Sequence, residues 1–296
     1  MTTRFFSDRE YGSRCSGLKS AINWRDNPAL SVVLARSFTT LFRIIFLVVL
    51  LLWLPHLAGA TNYRPDDDNG DGVGDRWGIP QWVAYEIKKL TVDHPLKKRP
   101  QAWITDEQLH AKGIAPDDPT YAVSGTKRLP EVKTDYRFVR GHMCPKDTAE
   151  RVSADAAFNT HTILNAVPQL QWQNNGVWKK LEKLSLEWAD KYGRIWVVAG
   201  PVFFDRNPAM WLGQASEVRA AIPDALFKIV IRQKGEGVGA LAFLIPNILP
   251  KTEKSPERFL VSVDRVEEVT GLDFMSVLPE EIQVEVEANI PEEMDW

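Results

Sequence analysis

The stretch from Arg140 to Glu182 constrains this chain more than any other part of its 296 residues. An Arg-Gly-His triplet follows an apolar and aromatic run that predicts a β-strand, and a second short strand is predicted over Thr162 to Val167, with Asn165 inside it. A helix is predicted next, with Asn174 in its first turn and Glu182 in its third. One supersecondary unit therefore carries a histidine, an arginine, two amides and a carboxylate.

These residue types are those needed to hydrolyse a phosphodiester with one metal ion. The reaction requires an activated water and a cation that stabilises the charge of the transition state. His142 is the candidate base because imidazole titrates near neutral pH, and Arg140 can clamp a phosphate oxygen with its fork of donors. Magnesium prefers oxygen ligands and keeps most of its waters, which suits the Asn174 carbonyl and a Glu182 carboxylate that reaches bound waters.

Regular helix geometry supports this pairing. Eight residues separate Asn174 from Glu182, about 80° of net rotation at 3.6 residues per turn, so both are expected on the same half of the helix surface. The predicted buried stripe consists of Leu181, Leu184 and Trp188. Two further tryptophans can stack on bases, although helical spacing favours the core for the second; they are Trp172 and Trp178.

The same stretch resembles the signature of the DNA/RNA non-specific endonucleases of the ββα-metal type. That signature reads roughly D-R-G-H, then S-N-x-x-P-Q, then N-x-G-x-W-x-x-L-E, and the chain has Val139-Arg140-Gly141-His142, Leu164-Asn165-Ala166-Val167-Pro168-Gln169 and Asn174 to Glu182. Further similar blocks lie between Trp77 and about Leu278, so the resemblance covers about 200 residues. Many ordered blocks are far more specific than a lone Arg-Gly-His.

The resemblance implies an enzyme that cuts DNA and RNA with Mg²⁺, or with Mn²⁺ as an alternative. It implies His142 as general base, Asn174 as direct metal ligand, Glu182 as a carboxylate acting on the water shell of the metal, Arg140 as phosphate clamp and Asn165 as a supporting amide. Val139 stands where the family has aspartate, which we interpret as weaker support for the site rather than lost activity. The family's upstream phosphate-binding arginine has two candidates, Arg99 and Arg137.

The first 60 residues have the pattern of an export signal. A basic segment precedes an apolar run, Ile44 to Leu54, and a small-residue ending at Ala60. The run is shorter than the roughly 20 residues of a membrane-spanning helix. We therefore expect a signal peptide cleaved after Ala60 and a secreted or periplasmic protein. A retained leader that anchors the protein to a membrane is the alternative, since the basic segment is unusually long.

An acidic linker is predicted over residues 61–76. Within it, Asp67 to Asp71 resembles a calcium-binding loop, but Gly78 stands where such a loop has a bidentate glutamate. Cleavage of the leader would leave one cysteine, Cys144, which excludes an intramolecular disulfide. A small buried residue is the favoured interpretation of Cys144, because a thiolate is a poor ligand for magnesium.

The remaining pattern predicts an α+β domain over residues 77–278, with a mainly antiparallel central sheet flanked by helices. Strands are predicted over Gln81 to Leu90, Ile195 to Ala199, Leu226 to Gln233 and Ala240 to Ile245, the last two joined by a Gly-containing hairpin turn. Ser262 to Thr270 predicts a helix that ends at Gly271. Combined with the resemblance, the expected fold is that of a ββα-metal (His-Me finger) nuclease.

Charge does not by itself indicate a polyanion partner. The tail, residues 279–296, carries seven acids and no bases, and residues 61–278 hold 29 of each. A nuclease of this composition must bind DNA and RNA through a local basic groove. Two other functions stay open: a relative that binds nucleic acid without cutting it, and a phosphodiesterase for smaller substrates. The sequence indicates no obligate protein partner and leaves a homodimer open, and membrane association is expected only if the leader is retained.

Overall fold

The computed structural model describes residues 77–92, 100–121, 136–205, 207–235 and 237–294. The leader, the linker with its calcium-type loop, and Arg99 lie outside these residues. Within the described ranges, no helix combines the length and the apolar character needed to cross a membrane.

The described part of the chain contains strands, helices and 3₁₀ turns in an α+β arrangement. The strands are β1 (Val83–Lys88), β2 (Phe138–His142), β3 (Ala166–Leu170), β4 (Arg194–Val202), β5 (Met210–Leu212), β6 (Ala220–Ile222), β7 (Ala225–Lys234), β8 (Gly237–Pro246) and β9 (Leu260–Val261). The α-helices are α1 (Glu107–Ala111), α2 (Lys146–Glu150), α3 (Ala154–Asn159), α4 (Gln171–Gln173), α5 (Lys179–Tyr192), α6 (Val263–Thr270) and α7 (Glu280–Ala288). The 3₁₀ turns span Pro119–Tyr121, Ile163–Asn165 and Pro256–Phe259.

The central element is a five-stranded antiparallel sheet in the order β1-β4-β7-β8-β9. The predicted α+β class and the mainly antiparallel sheet are therefore confirmed. The predicted hairpin is also present: β7 and β8 pair along their whole length, and Gly235 takes a positive φ of 61° in the turn between them. That left-handed conformation favours glycine.

Side chains along β7 point alternately to the two faces of the sheet, and each face has its own apolar cluster. Leu226 and Val230 pack into the larger core, whereas Phe227 and Ile229 pack into a second cluster on the other side of the sheet. We call these sides the site face and the distal face. The site face carries the unit of β2, β3 and α5, and the distal face is covered by α6 and by Val286 of α7.

The β2–β3 pair sets the register of the site. The strands are antiparallel, with His142 opposite Ala166 and Gly141 opposite Val167. The prediction that Asn165 lies inside a strand is wrong, because Ile163–Asn165 forms a 3₁₀ turn and β3 begins only at Ala166. The turn is stabilised by Thr162, whose hydroxyl accepts a hydrogen bond from the Leu164 amide at 3.3 Å.

The helix after β3 is not regular, contrary to the prediction. A π-helical segment, Asn174–Trp178, separates α4 from α5, and Gly176 within it has non-helical angles (φ −104°, ψ −105°). The expected rotation of about 80° between Asn174 and Glu182 assumed uninterrupted helix geometry, so it does not apply. The predicted buried stripe is present in α5, with Leu181 fully buried, Trp188 buried and Leu184 partly buried.

The C-terminal helices lie on the distal face. Helix α6 begins after Ser262, whose hydroxyl accepts a hydrogen bond from the Arg265 amide at 3.1 Å, and ends at Gly271 with φ 66°, as predicted. Helix α7 lies in the acidic tail, where no helix was predicted from the sequence. Its packing against α6 and β8 explains how so acidic a segment is held as a helix.

Candidate active site

His142 is the last residue of β2, and its ring lies within an aromatic cluster. The ring centroid is 4.5 Å from that of Trp103 and 5.0 Å from that of His161, which stands at 87° to it. His161 is buried, whereas His142 is only partly buried. The cluster holds the imidazole at the edge of the core, where the residue keeps some exposed surface although its Nε2 atom has almost none.

Gln169 explains the glycine that precedes His142. An added Cβ at Gly141 would lie 1.7 Å from Gln169 Oε1, so only glycine leaves room for this side chain. A glycine before a catalytic residue can also serve close approach to substrate or a sharp turn. The structure instead shows the amide of a neighbouring strand lying against the backbone.

The same amide orients Asn174. Asn174 Nδ2 donates to Gln169 Oε1 at 2.7 Å, and Gln169 Nε2 donates to Gln173 Oε1 at 3.0 Å. Because its nitrogen is engaged by Gln169, the carbonyl oxygen of Asn174 is directed away from Gln169. This is the orientation that an amide needs if its oxygen is to bind a hard cation.

The indole of Trp178 joins His142 to Glu182. Its Nε1 donates to the backbone oxygen of His142 at 3.4 Å, and the same N–H hydrogen-bonds the Glu182 carboxylate. Trp178 is fully buried, which confirms the core assignment and excludes base stacking by this residue. The base candidate and the carboxylate candidate are thus both in contact with one rigid ring, although they come from different elements.

The fully buried Lys228 and the half-buried Glu182 interact as opposite charges. Burial raises the pKa of Glu182, and the Lys228 ammonium acts against that rise. Burial lowers the pKa of Lys228, and Glu182 acts against that fall. Each group therefore favours the charged form of the other.

Cys144 is not suited to be a nucleophile or a metal ligand. Burial raises the pKa of its thiol to about 12, so it stays protonated at neutral pH. Its side chain packs against the core beneath the site. This agrees with its interpretation as a packing residue.

The side-chain amide of Asn165 anchors the loop after His142. Its Nδ2 donates to the backbone oxygens of Cys144 and Thr160 at 2.9 and 3.0 Å, and its Oδ1 accepts from the Cys144 amide at 2.9 Å. These contacts use both of its donors. Asn165 therefore holds the backbone that follows His142, and its role as a supporting amide of the site stays a prediction.

Arg140 lies beside Asp118. Its Nε is 2.6 Å from Asp118 Oδ1, and its Nη2 donates to the Asp118 backbone oxygen at 2.5 Å. Asp118 thus supplies a carboxylate to Arg140 itself. Both side chains keep a quarter or less of their surface exposed, so the guanidinium is held rather than mobile. Its role as phosphate clamp stays a prediction. Arg137, one of the two candidates for the family's upstream phosphate-binding arginine, is exposed.

The donor set fits a magnesium ion. The Asn174 carbonyl and the Glu182 carboxylate offer oxygen only, and the nearby thiol of Cys144 is protonated. Neither histidine of the cluster needs to be a ligand, which leaves His142 available as a base.

Three contributors to the site were missed at the level of sequence: Gln169, Asp118 and Lys228. Gln169 was visible as part of the resemblance but had no assigned role. Lys228 had a clear signal, because it is a single charge within an otherwise apolar strand segment, Leu226 to Ile231. Asp118 gave no signal, since it is one of several acids between residues 100 and 121.

A family model matches the part of the chain that contains these site residues. The model of the DNA/RNA non-specific endonucleases matches residues 74–281. Among curated proteins, a nuclease of Serratia marcescens is 30% identical over 70% of this chain and 72% of its own length. Mitochondrial endonuclease G of Bos taurus is 30% identical over 71% of this chain and 76% of its own length.

Two other matches are weaker: one covers a smaller part of the chain, and one has so low a sequence identity that it shows the fold alone. Mitochondrial nuclease EXOG of Danio rerio is 31% identical over 47% of this chain, and the match spans 43% of the EXOG sequence. The structure also superposes on EndoG in a solved complex with EndoGI, with a TM-score of 0.57 and 19% identity over 70% of this chain and 82% of that one. This neighbour supports the expected ββα-metal fold.

Proposed function

Because the chain belongs to the DNA/RNA non-specific endonuclease family, with residues 74–281 matched, we propose that it is a metal-dependent endonuclease that hydrolyses phosphodiester bonds in DNA and RNA. The observation that carries the proposal is the Trp178 indole, which contacts both the His142 carbonyl and the Glu182 carboxylate. The orientation of Asn174 by Gln169 supports it further.

His142 is the general base in this proposal. Its imidazole takes a proton from the attacking water, and a group that titrates near neutral pH is suited to this step. The rings of Trp103 and His161 hold the imidazole in one plane, so it meets the water in a fixed orientation. Such positioning lowers the entropy that must be lost on reaching the transition state.

Asn174 would hold one Mg²⁺, or Mn²⁺, through its carbonyl oxygen, with Glu182 bonded to the waters of the ion. When bound, the ion stabilises negative charge on the phosphate and on the departing oxygen. Glu182 would meet those waters from a fixed position, because its carboxylate is bonded to the Trp178 indole. Arg140, steadied by Asp118, offers its remaining N–H donors to a non-bridging phosphate oxygen.

Phosphate contacts rather than base contacts explain activity on both DNA and RNA. The charge balance of residues 61–278 supports local binding, since equal numbers of acids and bases give no long-range attraction. Cleavage is then expected to weaken steeply as salt rises, because phosphate contacts release counterions.

The enzymatic proposal is tested with plasmid DNA and RNA, each with and without EDTA. We expect the protein to cleave both substrates, EDTA to stop cleavage, and His142→Ala to lower the rate by about 10²- to 10⁴-fold. The matched control is His110→Ala, since His110 lies in α1 and contacts the Ala115 backbone oxygen at 3.0 Å.

Two outcomes would contradict the proposal. Tight binding of nucleic acid without cleavage would make the protein a non-cutting relative. Turnover of small diesters alone would make it a phosphodiesterase.

Export is proposed on the leader alone. We expect cleavage after Ala60 and a secreted or periplasmic protein, with membrane anchoring by a retained leader as the alternative. Mass spectrometry of the protein from culture fluid, periplasm and membranes tests this. A membrane-bound protein that retains residues 1–60 would favour the anchor.

A further inference from the structure

Lys228 is a buried cation that the proposed mechanism does not use. It lies in the middle of β7, and its side chain has no exposed surface. Its Nζ makes no hydrogen bond to any residue that the structure describes. Removing an ammonium from water without hydrogen bonds is costly, so a protein that keeps one needs a compensating interaction.

The position of Lys228 in the strand decides which groups it meets. Residues alternate along β7, and Phe227 and Ile229 on either side of Lys228 pack into the distal cluster. Lys228 therefore points to the site face. There its Nζ lies 4.2 Å from the centroid of the Trp178 ring, and it interacts electrostatically with Glu182.

Trp178 connects this ammonium to both sides of the site. A cation over an indole ring is attracted to the ring face, and the attraction is strongest where water is excluded. The edge of the same indole carries the N–H that bonds the His142 carbonyl and the Glu182 carboxylate. Lys228 thus holds the ring by its face while the ring holds the two site residues by its edge.

We propose that Lys228 is a positioning residue of the active site: its ammonium balances the carboxylate charge of Glu182 and fixes the Trp178 indole on which Glu182 and His142 converge. The expected effect of Lys228 on catalysis rests on the proposed function. The charge pairing with Glu182 is independent of catalysis and can be measured in a protein without substrate or metal.

The first test is a cycle of four proteins: wild type, Lys228→Met, Glu182→Gln and the double variant, unfolded with urea in EDTA. Methionine keeps an unbranched side chain as far as Cε and removes the ammonium group. A lysine with a packing role alone would be replaced by methionine without loss, since buried charges often give way to apolar groups of similar size. We expect Lys228→Met to lower the urea midpoint and the double variant to regain it, because glutamine no longer needs a counter-charge.

The second test is the metal dependence of plasmid cleavage. We expect Lys228→Met to raise the Mg²⁺ concentration for half-maximal rate, or to lower kcat, by about 10- to 100-fold, with KM for DNA unchanged. Adding Lys228→Met to Glu182→Gln should have little further effect. The matched control is Arg232→Met. Arg232 lies on the same strand as Lys228, and its guanidinium is 4.2 Å from the centroid of the Tyr192 ring.

Each outcome decides the inference. A folded Lys228→Met protein with wild-type metal dependence and rate would overturn it, as would full additivity with Glu182→Gln in stability and rate. If Lys228→Met does not fold, the double variant still must; failure of both would show that the lysine acts independently of Glu182. If the wild type has no nuclease activity, the proposed function fails, and the urea cycle alone decides whether Lys228 and Glu182 are paired.

Discussion

The two faces of the central sheet each hold a carboxylate in a packed helix, and their neighbours differ. Glu182 on the site face meets the Lys228 ammonium, whereas Glu287 on the distal face meets other acids, Glu267 and Asp264. Burial raises the pKa of both glutamates. Among the described residues, a cation lies beside Glu182, whereas the charged groups that act on Glu287 are other acids.

The acids of the distal face form a compact group. Ligand atoms of Asp264, Glu267 and Glu287 lie within 4.8 Å of one another. Glu287 is buried and accepts a hydrogen bond from Gln283 Nε2 at 3.2 Å. Protonation, rather than an ion, is a sufficient explanation for carboxyl groups so close together. The lesson is that burial alone does not mark a functional carboxylate; its partners do.

The strongest test of this comparison is to remove each charge in turn. We expect Glu182→Gln to lower the rate of plasmid cleavage by about 100-fold, since it loses the contact with the waters of the metal. Glu287→Gln should leave the rate unchanged. Steady-state cleavage assays at saturating Mg²⁺ measure both, and equal losses in the two variants would contradict a special role for the site face.

The next test concerns the tight packing under the histidine. Gly141→Ala places a methyl group where Gln169 Oε1 now lies, at 1.7 Å, so it must displace the amide that orients Asn174. We expect at least a tenfold lower rate and a loss of about 1–3 kcal/mol in the free energy of unfolding. The control is Gly237→Ala, whose methyl group would meet only the Lys234 backbone oxygen at 3.7 Å. Urea unfolding and cleavage assays on both proteins would expose any general intolerance of alanine.

Gln169 and Gln283 provide a comparison of two orienting amides. Gln169→Leu releases the Asn174 amide, and we expect it to raise the Mg²⁺ concentration for half-maximal cleavage by about tenfold. Gln283→Leu removes the amide that bonds Glu287 on the distal face and should not change the metal dependence. Metal titrations of cleavage compare the two, and an unchanged Gln169→Leu protein would show that Asn174 is oriented by other means.

The smallest expected effect is the pH dependence of stability on the distal face. The pKa of Glu287 is raised to about 7 from an ordinary value of 4.5, first by burial and then by neighbouring acids. The folded protein therefore holds a proton that the unfolded chain releases between these values. The stabilisation is fully present below pH 4.5 and is lost as the pH rises through 7.

We expect Glu287→Gln to be more stable than the wild type at pH 8 by about 1 kcal/mol, a figure reduced for screening near the surface, and to lose that advantage at pH 5. Urea midpoints at the two pH values measure it. A wild-type protein that gains stability at pH 8 relative to Glu287→Gln would reverse the sign and contradict the assignment.

Much of the secondary structure could be predicted because its signals are local. The β7–β8 hairpin follows from apolar alternation and a turn that contains Gly235, and α6 follows from its Ser262 cap and Gly271 end. Asn165 was misplaced because its side chain bonds the backbone of Cys144 and Thr160, and such bonds favour a turn over a strand. The interruption at Gly176 was missed because the rotation expected between Asn174 and Glu182 assumed a regular helix.

By itself, the sequence determined which side chains are available for chemistry: residue type, spacing and the resemblance to the family made His142, Asn174 and Glu182 the candidates before any fold was known. Only the tertiary structure decided what surrounds them. Lys228 comes from a strand 46 residues beyond Glu182, and its effect depends on the alternation that points it to the site face. Charges, amides and rings act through distance and direction, and for residues far apart in the chain these are set by packing rather than by sequence separation.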